Sequence, residues 1–184
     1  MTYPLLDRAI RFAADAHAGS ERDGEWALPY ITHPMAVLEA VRYTGGVHDE
    51  ALLCVAVLHD TIEDTAVTLD ELRLVFGDRI TRLVHELTRT EPSASETAGL
   101  DADQVWSLRS SMLLSDIAVM SKDAMTIKLA DRYCNLRDAR REKTGRKLER
   151  YVRQPGRILE LIPSSVNPEL WNAVNARLGV AAIA

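Results

Sequence analysis

The sequence predicts an all-α, single-domain protein, and three observations carry that reading. Apolar residues recur with helical spacing almost throughout, and no segment alternates for long in the manner of a strand. Helix-starting and helix-stopping residues punctuate the chain often enough to predict about eight to ten helices with short connections. The 184 residues, 47% of them hydrophobic, suffice for one compact domain with a sizeable core. Nine glycines and seven prolines are too few for a collagen-like or linker-rich chain.

The elements follow in order. Leu6, Ile10, Ala13 and Ala14 mark a first helix ending near His17, with Gly19 as its stop. Pro34 suits the first turn of a second helix, which runs to Gly45-Gly46. Asp49 caps a third, whose apolar run Ala51 to Leu58 ends in the polar string His59-Asp60-Thr61-Ile62-Glu63-Asp64-Thr65. Thr68 and Glu71 form a capping-box pattern that opens a short fourth helix to Phe76, closed by Gly77. A fifth spans Ile80 to Leu87. The stretch from Thr88 to about Ala102, rich in Ser, Thr and Glu, reads as a mobile loop. A sixth helix covers Asp103 to Met120 and a seventh Asp123 to Arg140. An eighth follows Gly145 and is interrupted or ended at Pro155-Gly156. The last starts at Asn167-Pro168 and runs through Leu178.

The net charge of −5 hides an asymmetry: nine basic and three acidic residues lie between Arg137 and Arg157, and the remainder sums to −11. Overall acidity speaks against nucleic-acid binding. The local basic stretch is either a solvated helix face or a surface that meets the phosphates of a small anionic substrate. The longest apolar run, Ala51 to Leu58, falls far short of the ~20 residues a membrane span needs. Asp7 and Arg8, after only two leucines, speak against a secretory signal. Two widely spaced cysteines, Cys54 and Cys134, fit a reduced, cytoplasmic protein. The charge pattern and the apolar runs leave open whether the chain forms a homo-oligomer.

The residues that carry chemistry are His33, the pair His59-Asp60, and Asp131. Imidazole and carboxylate are the ligands a divalent cation accepts when it keeps positions open for water and substrate. Each of these residues alone is usually structural or solvent-facing, and spacing spread over three helices does not decide. Context does more. His59 and Asp60 lie where a helix apolar on nearly all sides meets something polar, and ionisable groups buried there without partners would be strongly unfavourable. Glu63 and Asp64 follow one turn later, and two acids that close repel unless a cation or a catalytic role relieves them. Lys128, Asp131 and Asn135 share one helical face, which would present an ammonium, a carboxylate and an amide to one cleft.

With an upstream His and a downstream Asp, His59-Asp60 resembles the HD superfamily of metal-dependent phosphohydrolases. The longer string through Thr65 is similar to the HD-x-x-ED signature of RelA/SpoT-type alarmone hydrolases. Further matches come in order: Phe12-Ala13-Ala14 with His17-Ala18-Gly19, Pro29-Tyr30-Ile31 with His33-Pro34, Phe76-Gly77, and Lys128-Leu129-Ala130-Asp131-Arg132 with Asn135-Leu136. They span about Leu6 to Asp138 of an HD-type domain expected over the whole chain, and leave the helical tail from Ala139 to Ala184 unsupported. The chain is too short for the synthetase and regulatory domains of the long relatives, so it most resembles the stand-alone small hydrolases. The resemblance implies an HD-domain helical bundle that removes the 3′-pyrophosphate of (p)ppGpp, giving GDP or GTP and pyrophosphate, with one Mn²⁺ or another divalent cation. It implies His33, His59, Asp60 and Asp131 as metal ligands, with Glu63 and Asp64 orienting the attacking water and managing protons. It also implies that Arg22 packs on the guanine base and that Asn135 helps hold the nucleotide. Lys128 and Tyr151 are further candidates for substrate contact.

The chain departs from the family pattern on the substrate side. Asp23 follows Arg22 where relatives usually carry a lysine, Gly24-Glu25-Trp26-Ala27-Leu28 is longer and more apolar than the usual turn, and the loop from Thr88 to Ala102 reads as lacking the basic residues often found there. Lys143, Arg146, Lys147 or Arg150 are candidates for the missing positive charge. A different nucleotide, such as NADPH or a 3′-phosphonucleotide, is therefore an alternative substrate, and a non-catalytic nucleotide sensor a further one. His17 reads as a packing or capping residue, His48 and His85 as non-ligands, and Cys134 as a small core residue. Trp106 and Trp171 read as core, and Trp26 either lids a base or covers the core.

Overall fold

The computed structural model describes residues 2–22 and 24–179, and the backbone alone of Arg146 and Lys147. Asp23, the side-chain charges of Arg146 and Lys147, and the end of the apolar tail lie outside the described residues. The helices are α1 (Pro4–Ala16), α2 (Thr32–Glu39), α3 (Glu50–Leu58), α4 (Thr61–Asp64), α5 (Leu69–Leu87), α6 (Ala94–Thr97), α7 (Ala102–Ala118), α8 (Lys122–Glu142), α9 (Gly145–Leu161) and α10 (Pro168–Gly179). Among the described residues the one β-type pairing is an isolated bridge between Glu21 and Pro29. No described helix is long and apolar enough to cross a membrane.

The axis of the bundle is α3. Every residue from Leu52 to Leu58 is buried, and α1, α2, α5 and α8 surround the helix. Each fully buried Leu or Val there contributes roughly 2 kcal/mol of transfer free energy. Its start is fixed by Asp49, whose carboxylate accepts from the Ala51 amide at 2.9 Å. Phe12 of α1 meets Phe76 of α5 edge to face, with ring centroids 5.3 Å apart. The second axis is α8, which buries Ala124 through Asp131 and packs against α2, α5, α9 and α10.

The expected break at Gly77 is present: its φ of 77° and ψ of 173° are non-helical, so the fourth and fifth expected helices meet there at a kink within α5. Three details differ from the sequence expectations. The second helix has Pro34 in its first turn as expected, but gives way to a π-helical turn at Ala40–Thr44. The expected mobile loop holds one helical turn, α6, with a complete capping box between Ser93 and Glu96. Finally, α9 continues through the buried Pro155, and packing of the helix on α7, α8 and α10 holds it.

The C-terminal helix is tied to the π-turn. The Asn167 amide donates to the Gly45 carbonyl at 2.9 Å and its oxygen accepts from the Leu170 amide at 3.1 Å. A Cβ at Gly45 would sit 2.8 Å from Leu170 Cδ1 and 2.9 Å from the Val41 carbonyl oxygen. Gly45→Ala is therefore expected to destabilise the fold by about 1–3 kcal/mol through overpacking, read as a melting temperature lower by several degrees. An unchanged melting temperature would show that this junction yields freely.

Candidate active site

The local sequence around His59 ends one helix and starts another, and that break builds the site. His59 caps the C-terminus of α3 and Asp60 precedes α4. The carbonyls left over by the break are answered locally: Thr61 Oγ1 donates to the Leu58 carbonyl at 2.7 Å, and His59 Nδ1 lies 2.9 Å from the Ala56 carbonyl. A proton on Nδ1 leaves the Nε2 lone pair facing inward. His33 enters from the first turn of α2, and Asp131 from the middle of α8.

The four side chains converge. His33 Nε2 is 3.5 Å from Asp60 Oδ2 and 3.4 Å from Asp131 Oδ1. His59 Nε2 is 3.0 Å from Asp60 Oδ1 and 4.0 Å from Asp131 Oδ1. His33, His59 and Asp131 are all at most 3% exposed. Ligand atoms of His33, His59 and Asp60 lie within 4.8 Å of one another, close enough to hold one metal ion. Despite its short distance to Asp60, His59 Nε2 lacks hydrogen-bond geometry to any partner. A buried nitrogen aimed at two carboxylates without bonding either fits a cation between them, and the donor set of two imidazoles and two carboxylates suits a borderline or hard divalent ion.

The electrostatics agree. Burial pushes the Asp60 carboxyl up, but His59 and His33 outweigh it and hold the group below its ordinary value. Burial raises Asp131 too, yet Arg132, His33 and Lys128 drive it well below the usual carboxylate range. Burial lowers the His59 imidazole, and the Asp60 and Asp131 charges more than reverse that. The pocket thus draws positive charge to its centre.

A cavity of about 420 Å³ opens over this cluster. Of the ten residues read from sequence as metal ligands, catalytic groups or direct substrate contacts, nine line it, and His59 is buried outside its lining. Arg22 is delivered by a hairpin-like loop in which its amide donates to the Leu28 carbonyl and the Tyr30 amide to the Ser20 carbonyl, both at 2.9 Å. The Arg22 guanidinium reaches Asn135 Oδ1 and Asp138 Oδ2, each at 3.3 Å. Asn135 in turn hydrogen-bonds Asp131 Oδ1. The Lys128 ammonium lies 3.6 Å from Asp131 Oδ2 and is part of the charge cluster as much as of the cavity wall. Tyr151 lines the far side from α9, with the Lys143 ammonium 4.7 Å from its ring centre.

Several wall residues escaped the sequence reading. Tyr30 bonds Asp60 and Asp64. Arg132 grips Asp131 Oδ2 through Nε at 3.1 Å and Nη2 at 2.8 Å. Arg89 corrects the reading of the Thr88–Ala102 loop as lacking basic residues: it lines the cavity and forms an ion pair with Glu63. Trp106, read as core, instead lines the cavity with the Arg150 guanidinium 5.4 Å from its ring. The signals available were the motif position of Tyr30 and the adjacency of Arg132 to Asp131; nothing in the local sequence marks Arg89 or Trp106. Of the remaining residues, Trp26 is 89% exposed and covers no core, Trp171 packs on the core, and His48 and His85 are exposed. Cys134 is buried, its thiol pushed up to about 12 by that burial, which suits an inert packing residue.

The family model described as HD domain matches residues 9–154. The chain belongs to that family. Among its relatives is guanosine-3′,5′-bis(diphosphate) 3′-pyrophosphohydrolase MESH1 of Xenopus tropicalis, 34% identical over 139 residues, which are 74% of this chain and 70% of the relative. The human MESH1 is 36% identical over 138 residues, with the same coverage of 74% and 70%. The fold matches over its full length, with a TM-score of 0.86 at 24% identity, the solved structure of a metazoan ortholog of SpoT, which is likewise covered completely.

Asp131 neutralises two basic groups in the wall, Lys128 and Arg132, whose side chains are 7% and 17% exposed. Removing Asp131 leaves both uncompensated, whereas removing Asp60 leaves imidazoles that can shed a proton. In metal-free protein, Asp131→Ala is therefore expected to lose about 3–5 kcal/mol and Asp60→Ala less. Chemical denaturation under chelator checks the ranking, and equal losses would refute it.

Proposed function

We propose that the chain is a divalent-metal-dependent hydrolase, with Mn²⁺ the leading cation, that splits the 3′-pyrophosphate from guanosine 3′,5′-bis(diphosphate) or its pentaphosphate analogue. Water adds to the phosphorus bonded to the ribose O3′, the O3′–P bond breaks, and GDP or GTP leaves with pyrophosphate. The observation that carries this reading is the meeting of His33, His59, Asp60 and Asp131 beside Glu63 and Asp64 in one cavity. The MESH1 relatives at 34% and 36% identity, named for that reaction, support it.

In this reading His33, His59, Asp60 and Asp131 hold the cation. When bound, it supplies Lewis acidity, neutralising phosphoryl charge and acidifying water. Glu63 and Asp64, on the exposed turn of α4, orient the attacking water and accept its proton. Arg132 and Lys128 balance the Asp131 charge, so that the carboxylate stays ionised. Arg22 leaves Asn135 and Asp138 to pack its flat guanidinium on the base. Asn135 then offers amide hydrogen bonds, and Tyr151 with Lys128 and its basic neighbours faces the phosphates. Two buried free thiols suit a reducing, cytoplasmic setting. The domain is taken to span the whole chain, since α10 packs on α8 and on α9.

The test is product analysis with purified protein, Mn²⁺ and ppGpp, run beside NADPH and 3′-phosphorylated nucleotides. GDP and pyrophosphate from ppGpp, abolished by chelator, are expected. Orthophosphate from another nucleotide would keep the metal site and reassign the pocket, and no turnover despite bound metal would favour a sensor. Asp60→Ala and Asp131→Ala are expected to abolish Mn²⁺ binding, measured calorimetrically, together with turnover; full activity in either would refute the ligand assignment. Arg22→Ala is expected to raise KM about tenfold with a smaller effect on kcat, the loss of one cation–π stack.

A further inference from the structure

Tyr30 stands between the two halves of the proposed machinery. Its phenol oxygen lies 2.9 Å from Asp60 Oδ2 and also hydrogen-bonds Asp64 Oδ2. A phenol carries one proton and donates it to one carboxylate at a time. Asp60 has other company: His59 Nε2 at 3.0 Å, His33 Nε2 at 3.5 Å, and the cation those side chains are built to hold. Asp64 does not. Among the described residues Tyr30 is the one side-chain donor to its carboxylate. Asp64 also sits on the exposed side of a helix only four residues long, where an unaided side chain would sample several rotamers.

The ring that delivers this hydroxyl is held from several directions. His17 stacks on it with centroids 4.6 Å apart and planes 23° from parallel. Arg22 places its guanidinium carbon 5.4 Å from the ring centre, and His33 approaches at 6.2 Å with planes 75° apart. The Tyr30 amide is tied to the Ser20 carbonyl at 2.9 Å. His17 is 3% exposed, and neither of its ring nitrogens finds a hydrogen-bond partner. Burial lowers its pKa, so the neutral ring serves as an apolar slab under Tyr30.

We infer that Tyr30 is a positioning residue: it donates its phenol proton to Asp64, aims that carboxylate at the attacking water, and uses buried His17 as its stacking platform. No bond to substrate is involved, and the hydroxyl keeps its proton throughout. The inference rests on the hydrolase reading above, because aiming Asp64 matters only where Asp64 handles the water. It adds a residue for which that reading has no role. A misplacement of the reacting groups by about 1 Å can slow a reaction by ~100-fold, so one hydrogen bond at this position has large leverage.

Tyr30→Phe keeps the ring and its stack and deletes the hydroxyl. With Mn²⁺ and ppGpp, the variant is expected to lose about 10- to 100-fold in kcat, the range seen for supporting hydrogen bonds at metal sites. KM should stay within about twofold, since the interaction is not with substrate. In a double-mutant cycle, Tyr30→Phe should add almost nothing to Asp64→Asn, because the first acts through the second. A wild-type kcat, a loss carried by KM, or losses that multiply in the double variant would each overturn the inference. Crystal structures of the metal-loaded wild type and of Tyr30→Phe form the second arm. The wild type should keep the phenol on Asp64, and the variant should show that carboxylate turned from the cleft; an Asp64 in the same place in both would also overturn it. If the wild type leaves ppGpp intact, the substrate reading fails, and the structural arm alone decides the positioning role.

Discussion

Two imidazoles and two carboxylates share one volume at the end of the most apolar helix in the molecule, and the neighbouring structure is arranged around that charge. Helix α3 is buried from Leu52 to Leu58, and His59 at its C-terminus is buried as well. Ionisable groups in such a place persist only with partners. Here the histidines and carboxylates partner each other across 3.0–4.0 Å, and Arg132 and Lys128 balance Asp131 from outside. The packing of α1, α2, α5 and α8 on α3 is what brings the four groups to one point, so core and site are a single construction.

The cavity has two chemically distinct sides. Near α4 it is acidic, with Asp60, Glu63 and Asp64, and Tyr30 and Arg89 restrain the last two. Toward α7, α8 and α9 it is cationic and aromatic, with Arg109, Arg132, Arg150, Trp106 and Tyr151 on the wall. That division suits a polyanionic nucleotide whose reacting phosphorus sits at the acidic end beside a cation while its other groups meet guanidinium and aromatic surfaces. Part of the basic stretch between Arg137 and Arg157 contributes here: Lys143 and Arg150 face the cavity.

Much of the fold was legible in one dimension because its determinants are local. The apolar run to Leu58, the capping box at Thr68 and Glu71, and the glycines that close helices act within a few residues of themselves. The break at Gly77 is one of these local features, and so is the capping box between Ser93 and Glu96 that forms a helical turn within the supposed loop. Where the whole bundle decides, the expectations slipped: Pro155 is carried inside α9, which packs on α7, α8 and α10. The indole of Trp106 faces a cleft because α9 lies across α7, which no local pattern encodes.

By itself the sequence determined that the chain is helical and where most of its helices begin and end, and it singled out four side chains of the type that can hold a cation. Those are matters of periodicity, capping and ligand type. Only the tertiary structure decided that Asp131 meets His33 across 98 positions of chain, that Asn135 and Asp138 hold Arg22, that Arg89 pairs with Glu63, and that the Tyr30 hydroxyl reaches both Asp60 and Asp64. The physical reason is distance along the chain. Helix propensity and capping are set by neighbours in sequence, whereas charge pairing inside a cavity is set by which surfaces the core forces together, and that emerges only when the whole bundle has packed.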